Sequence, residues 1–463
     1  MPPSFDEHLA IANELLEERE RDKARVALEA AQVLARTPAE HALVLTGLAD
    51  VAFFRDENQQ GALVLLDQSI GLSLPEVGSD ARAALALAEA CFEKSQCLLM
   101  MHRSGDALAS VNVSLDRFLD RVSASEPRDR IERQLRLTIV DAMHWKVSLL
   151  TEPEGDDARR NAVACCQELD RRFRGVEDLE VKRIVASCLR RSGWILGWMG
   201  RSDEEIAAYD EVIARYGNLQ DRRMREIVLQ TLDGKLLAFR DQEDFEATLE
   251  ACNDLLERYE SDPVESTMDA VARTLIRKGG VLNKLGKIAQ ELACYDKVIA
   301  TCAEHPASML RKHAAEALIS KAVALNEADQ AAAEMECYDE LLRRYAEDES
   351  QLVRIVAAHG LVYMGLSLRA IAEDAAEDTG VLETETEIAC YDRVITRYGG
   401  EDSDGMRRAV AEAQQHKGES LLETGRMAEA AACFDAIIDG YAKSRDPVLA
   451  EIVKDARELR AEC

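Results

Sequence analysis

The string Cys-Tyr-Asp-Lys-Val-Ile at 294–299 returns along the chain as Cys337-Tyr-Asp-Glu-Leu-Leu342, Cys390-Tyr-Asp-Arg-Val-Ile395 and Cys433-Phe-Asp-Ala-Ile-Ile438. Upstream it becomes Ala208-Tyr-Asp-Glu-Val-Ile213 and, more loosely, Ala251-Cys-Asn-Asp-Leu-Leu256. The third residue of each copy is Asp210, Asn253, Asp296, Asp339, Asp392 and Asp435, at intervals of 43, 43, 43, 53 and 43 residues. A fixed period of about 20–50 residues marks an array in which each unit buries its apolar face against its neighbours. A chain of 463 residues can then form one elongated array instead of several globular domains.

The units are helical. Proline is rare, at 9 of 463 residues, and Ala, Leu and Glu abound, as in all-helical chains. Residues 4–36 carry two apolar stripes at helical spacing, Leu9, Ile11, Ala12, Leu15 and Leu16, then Val26, Leu28, Ala31, Val33 and Leu34. Thr37-Pro38 sets a capping residue before a proline suited to the first helical position. Up to 177 the hairpins vary in length. From 178 to 445 each unit reads as a long helix, a Gly-containing turn (Gly200, Gly286, Gly425) and a shorter helix ending near an aromatic. Asp262-Pro263 and His305-Pro306 are expected to start long helices. The segment 446–463 reads as one unpaired helix with a charged outer face, suited to capping the array. The 53-residue interval holds ten extra residues near 370–387, an acidic stretch that reads either as a mobile loop or as a contact element. The register there admits either Gly360 or Gly365 as the counterpart of Gly279.

These features resemble the tetratricopeptide repeat (TPR) family in a long-period form. Lys278-Gly279-x-x-Leu282-x-x-Leu285-Gly286 followed by Tyr295 matches its small residue, large apolar residue, turn glycine and second-helix aromatic. Lys417-Gly418 with Leu421, Leu422, Gly425, Ala430 and Phe434, and Gly193 with Leu196, Gly200 and Tyr209, repeat the match. The resemblance implies an all-α fold: a right-handed α-solenoid of about ten TPR-like helical hairpins with a C-terminal capping helix. Where the family has a small Ala early in the second helix, this chain has Glu205, Glu291 and Glu334, which predicts looser pairing of the two helices there.

The resemblance also implies binding on the concave face, lined by the first helix of each unit. It points to Arg190, Trp194 and Trp198, then Ile276, Asn283 and Lys284. Further along it points to Ile319, Val323, Asn326 and Glu327, and last to Gln415, Glu419, Leu422 and Glu423. Trp194 and Trp198, four apart, share a helix face; they read as an interface anchor beside Arg190 or as core between repeats. Asn283 and Asn326, one period apart, read as an amide ladder for a peptide backbone or as coincidence. The Lys/Asn set that some family members use for a terminal carboxylate is not found.

Charge limits the partner. The net charge is −30: residues 1–120 carry 10 Lys+Arg against 20 Asp+Glu, residues 121–240 carry 22 against 21, and residues 241–463 carry 25 against 46. Such a surface repels phosphate backbones and disfavours nucleic acid, whereas its net −21 last part suits a basic segment. The arginine clusters at 171–174, 190–191 and 222–225 read either as a local anion contact or as solvated helix faces and caps. The start of the chain lacks a basic-then-apolar leader, and no uninterrupted apolar run reaches about 18 residues, so no membrane span is expected. Equivalent cysteines on stacked helices would lie about 8–10 Å apart, too far for a disulfide. Cys294, Cys337, Cys390 and Cys433 therefore read as packing residues of a reducing, cytoplasmic protein, and the Asp beside each as a solvated helix position. No phosphate loop, His-Glu-x-x-His or Gly-x-Ser-x-Gly appears, so no catalysis, metal or cofactor is expected. The expected function is a non-enzymatic scaffold or adaptor for a protein or peptide. The alternative is a regulatory or sensor subunit that inhibits or recruits an effector enzyme in a bacterial multi-component system.

Overall fold

The computed structural model describes residues 3–124, 126–151, 155–374 and 380–463, and every regular element among them is helical. They divide into two compact units, Met1–Ala238 and Phe239–Cys463, each a stack of helical hairpins.

In the first unit, α1 (Phe5–Glu17) pairs with α2 (Arg21–Leu34), and α3 (Pro38–Phe54) with α4 (Gln59–Ser73). Next come α5 (Ala81–Met100) with α6 (Ser104–Ala124) and α7 (Arg130–Thr151) with α8 (Asp156–Phe173). The fifth hairpin is α9 (Leu179–Trp198) with α10 (Ser202–Tyr216), and α11 (Arg222–Asp241) follows. Two starts show why these segments are helices where they are. Ser4 and Thr37 accept from the Glu7 and Glu40 amides while those glutamates accept from the cap amides, and Pro38 occupies the first helical position of α3.

The second unit holds α12 (Phe245–Tyr259), then α13 (Glu265–Lys284) with α14 (Ile288–Cys302) and α15 (Ser308–Glu327) with α16 (Ala331–Tyr345). It continues with α17 (Gln351–Asp374) and α18 (Gly380–Tyr398), α19 (Asp404–Glu423) and α20 (Met427–Tyr441), and the single α21 (Pro447–Arg460). Pro263 and Pro306 do not begin α13 and α15, as the sequence led us to expect. The helices start two residues later, at Glu265 and Ser308, and the prolines sit in the connections. Apolar residues of α21 (Leu449, Ile452, Val453) are buried with Phe434 and Ile437 of α20, leaving its charged side outward.

A glycine–aromatic contact closes four of the regular hairpins, while α15 carries Ala322 at that position before Tyr338 of α16. A Cβ on Gly279 would sit 2.5 Å from Tyr295 Cε1, and one on Gly193 2.5 Å from Tyr209 Cε1. Gly365 faces Tyr391 and Gly418 faces Phe434 in the same way, each at 2.6 Å. Gly365 is therefore the counterpart of Gly279; Gly360 instead abuts Leu341 of the preceding hairpin. The extra residues thus lie between Gly365 and Tyr391, where α17 and α18 run to 24 and 19 residues against 20 and 15 for α15 and α16. Of the expected acidic insertion, 375–379 lie outside the described residues. At its far side Glu385 meets Arg426 at 2.8 Å. The stretch Gln351–Ile371 of α17 is long and apolar enough to cross a membrane, but Val353, Ala357, Ala358, Leu361 and Val362 within it are buried core.

The glutamates correct the expectation of loose pairing. Glu291, Glu334 and Glu387 are buried, each four residues before the ring tyrosine of its hairpin. Tyr295 and Tyr209 donate their hydroxyls to Glu291 and Glu205, both at 3.2 Å. Glu334 accepts from Asn326 Nδ2 at 2.9 Å and from Ser367 Oγ, and Glu387 accepts from Ser420 Oγ. A buried carboxylate given donors tightens packing; without them it would be costly. Where the hydroxyl is missing, at Cys252 and Phe434, the residue four earlier is Thr248 or Ala430.

The aspartate of the repeated string is also more than a solvated position. Asp210 meets Lys235 at 2.6 Å, Asp296 meets Lys321 at 2.6 Å, Asp392 meets Lys417 at 2.5 Å and Asp435 meets Arg460 at 2.8 Å. Each pair joins a second helix to the first helix after it. A further series ties first helices to the connection before the next one: Arg183–Asp221, Arg311–Asp348, Arg354–Glu401 and Arg408–Asp446. Tyr345 and Tyr398, closing α16 and α18, donate to the Ala303 and Ala346 carbonyls of the preceding hairpins.

Candidate functional site

First helices of successive hairpins touch one another, α1 to α3, α3 to α5, α5 to α7 and α7 to α9, and so form one inner layer of the first unit. Leu9 of α1 and Gln134 of α7 line a single cleft of about 340 Å³, so this layer curves inward. Asp50, Glu89, Glu93 and Asp141 also line that cleft. Burial, reinforced by the neighbouring Glu93 carboxylate, pushes the Glu89 carboxyl up to about 8; burial and Asp50 push Glu93 to about 7. Asp141 rises to about 6 for the same first reason. Arg21 Nε reaches Asp50 at 2.8 Å. No sequence signal separated these carboxylates from the many others, because only the curvature of the layer brings four helices to one cleft.

The tryptophan pair stands on the same layer, on α9. Trp194 is 43% exposed and Trp198 is 56% exposed, so neither is core between repeats. Their ring centroids are 3.9 Å apart, and the Arg159 guanidinium lies 5.9 Å from the Trp198 ring centroid. Arg190, one turn before Trp194, is half-buried, and its Nε finds no hydrogen-bond acceptor. A second cleft of about 380 Å³ opens beside it between α7, α9 and α11, lined by His144, Glu180, Arg183, Ile184, Ser187 and Arg223 among others. Burial, with Arg191 and Arg190 nearby, pushes the His144 ring down to about 4, so it stays neutral near pH 7. His359, by contrast, is held through Nδ1 by the Ile355 carbonyl at 2.9 Å.

The arginine clusters are in part tied: Arg171, Arg174, Arg222 and Arg223 are exposed, as a solvated face requires, while others are held by neighbours. Arg171 and Arg172 grip Glu168, Arg172 also reaches Asp120, and Arg174 reaches Glu211. Arg191 donates to Ser148 Oγ and Thr151 Oγ1 on α7 at 2.7 and 3.0 Å.

In the second unit Lys284, Val323, Asn326, Glu327 and Glu423 are exposed, and Ile276, Asn283, Ile319, Gln415, Glu419 and Leu422 are half-buried. The amide ladder does not stand free. Asn283 Nδ2 donates to Glu327 at 2.5 Å and Asn326 Nδ2 to Glu334 at 2.9 Å, so each is engaged within the chain. Gln415 donates to Glu419 at 3.1 Å, and Arg369 takes Glu423. Ile319 lies under Gly360 of α17, in the packing between first helices. The repeat cysteines are buried or half-buried, and burial pushes their thiols up, Cys337 to about 11. Among the described residues no group of three or more His, Cys, Asp or Glu is placed to hold a metal.

No family model matches the sequence, and no curated protein matches it. Among solved structures, the apo form of RapI aligns over 91% of this chain and 98% of its own, at 10% identity and TM-score 0.45. The apo quorum sensor NprR from B. thuringiensis aligns over 73% and 86%, at 12% identity and TM-score 0.40. A signal transduction ATPase with numerous domains and a tetratricopeptide repeat sensor, from Pyrococcus horikoshii, aligns over 93% and 67%, at 9% identity and TM-score 0.43. The regular hairpins of this chain are themselves tetratricopeptide-like, by the glycine of the first helix seated under the aromatic of the second in four of them.

Proposed function

We propose that this chain is a non-enzymatic, cytoplasmic helical-repeat scaffold that binds a partner protein or peptide along the inner layer of its first helices. The observation that carries the reading is the exposed Trp194–Trp198 pair on α9. Two large rings left to solvent cost apolar hydration that a partner would relieve, and tryptophan and arginine dominate interface energetics. The second unit offers exposed first-helix positions of its own, among them Lys284, Val323 and Glu327, and the −21 charge of 241–463 favours a basic stretch of partner there.

The test replaces both rings. Trp194→Ala with Trp198→Ala removes partner capture from a native lysate while helicity and melting stay close to wild type. Because the rings are exposed, a large drop in melting temperature would show that they serve packing and would overturn the reading. A stoichiometric complex with one enzyme would make the scaffold a regulatory subunit.

A further inference from the structure

Among the described residues, α9 carries two guanidiniums that meet no carboxylate. Arg191 is held by the neutral hydroxyls of Ser148 and Thr151, and Arg190 makes no hydrogen bond to any described residue. The Nε of each is buried without an acceptor. This departs from other half-buried arginines such as Arg183, Arg215 and Arg311, which lie against aspartates. In a protein of net charge −30 an unanswered cation on an inner face is a specific feature, since carboxylates are abundant enough to pair it. The groups around Arg190 do not neutralise it. His144 is uncharged near pH 7, Tyr209 is a phenol whose ionisation burial suppresses, and Glu205 sits against Gly197 with the Tyr209 hydroxyl on it.

Arg190 and Trp194 are one helical turn apart, which places their Cβ atoms about 6 Å from each other on one side of α9. Trp198 continues that side by another turn. In an extended peptide, residues two apart point the same way and are separated by about 6.6 Å, which matches this spacing. We propose that the inner face of α9 takes a partner segment in which an Asp or Glu side chain is separated by one residue from an aromatic or large aliphatic side chain. The carboxylate accepts from Arg190, and the apolar side chain lies on the Trp194–Trp198 rings. The inference rests on the inner-layer reading above and names the chemistry of that part of the partner; the preference for a basic stretch concerns the second unit.

The experiment pans the full chain against random heptapeptides that are N-acetylated and C-amidated, so that only side chains carry charge. The expected consensus is Asp or Glu, any residue, then Phe, Trp, Tyr or Leu, in either order. Against the best peptide, read by quenching of tryptophan emission, Asp→Asn weakens binding about tenfold or more, as loss of a charged hydrogen bond would. Arg190→Gln loses the acidic preference and keeps the aromatic one; because Arg190 holds no hydrogen-bond partner among the described residues, its melting temperature stays near wild type. A consensus of Lys or Arg, an acidic preference that survives Arg190→Gln, or enrichment only when the peptides end in a free carboxylate would each overturn the proposal. If the wild-type consensus is aromatic without acid, this inference fails and the inner-layer reading stands. If the same consensus survives Trp194→Ala with Trp198→Ala, or no consensus emerges, both fail.

Discussion

Gly279→Ala tests the glycine–ring contact on which four of the regular hairpins are built. The new methyl carbon would lie 2.5 Å from Cε1, 2.7 Å from Cζ and 2.9 Å from the hydroxyl of Tyr295, a ring 4% exposed. A rigid buried ring cannot yield by rotating a flexible end, so the helices must part or the ring must move, at an overpacking cost of about 1–3 kcal/mol. Moving the ring also weakens the Tyr295–Glu291 hydrogen bond, which adds about 1.5 kcal/mol for a charged acceptor. Alanine returns about 1 kcal/mol through helix propensity. The net expectation is a loss of about 1.5–3.5 kcal/mol. The neighbouring Gly280 supplies the control, because a Cβ there meets nothing within 4 Å. Gly280→Ala should gain up to about 1 kcal/mol, since only propensity changes. Urea unfolding of the two single variants, followed by circular dichroism, reads the difference between adjacent residues of α13 and cancels effects common to the whole array. Equal midpoints would refute the idea that the glycine is there for the tyrosine.

Two further outcomes follow from the buried and bridging charges. Burial raises the Glu291 and Glu387 carboxyls above their ordinary value, so the fold holds their protons more tightly than the unfolded chain does. Their contribution to stability is therefore full on the acid side and lost as pH rises through the folded values. Glu291→Gln with Glu387→Gln should melt higher than wild type at pH 8, with the gap closing near pH 4; a gap that widens in acid would contradict this. Lys321→Met removes the pair with Asp296, which is more than half exposed, and should cost about 0.2–1 kcal/mol in low salt and nothing in molar salt. The repeat that has Met364 at the equivalent position, opposite Asp339, already does without the lysine.

Much of the fold was legible because one array repeats the same contact. The 43-residue period, the glycines and the ring residues are each visible as letters, and they correspond to a packing pair within one hairpin. Relations between hairpins were harder to see. Asp296 and Lys321 are 25 residues apart, and nothing in either residue says that they meet until the next first helix is stacked beside the previous second helix. The recurrence of that spacing at 210/235, 392/417 and 435/460 was the available signal. Glu334 looked like an intrusion because its donors, Asn326 and Ser367, come from two other helices. The carboxylates of the first cleft and the unpaired state of Arg190 depend on curvature and on absent neighbours, which no local pattern records. Trp194 and Trp198 could be placed on one helix face by counting, but their exposure depends on what the adjacent first helices leave uncovered.

Gly365 and Tyr391 keep their contact although 26 residues separate them, where Gly279 and Tyr295 are separated by 16. Most of the added length extends the two helices past that contact, α17 to 24 residues and α18 to 19, against 20 and 15 for α15 and α16. Hairpin tips in this chain are thus positions at which new sequence can accumulate without disturbing inheritance of the framework. A peptide tag or a fluorescent domain placed between Asp374 and Gly380 would exploit the same tolerance that the chain has already used once.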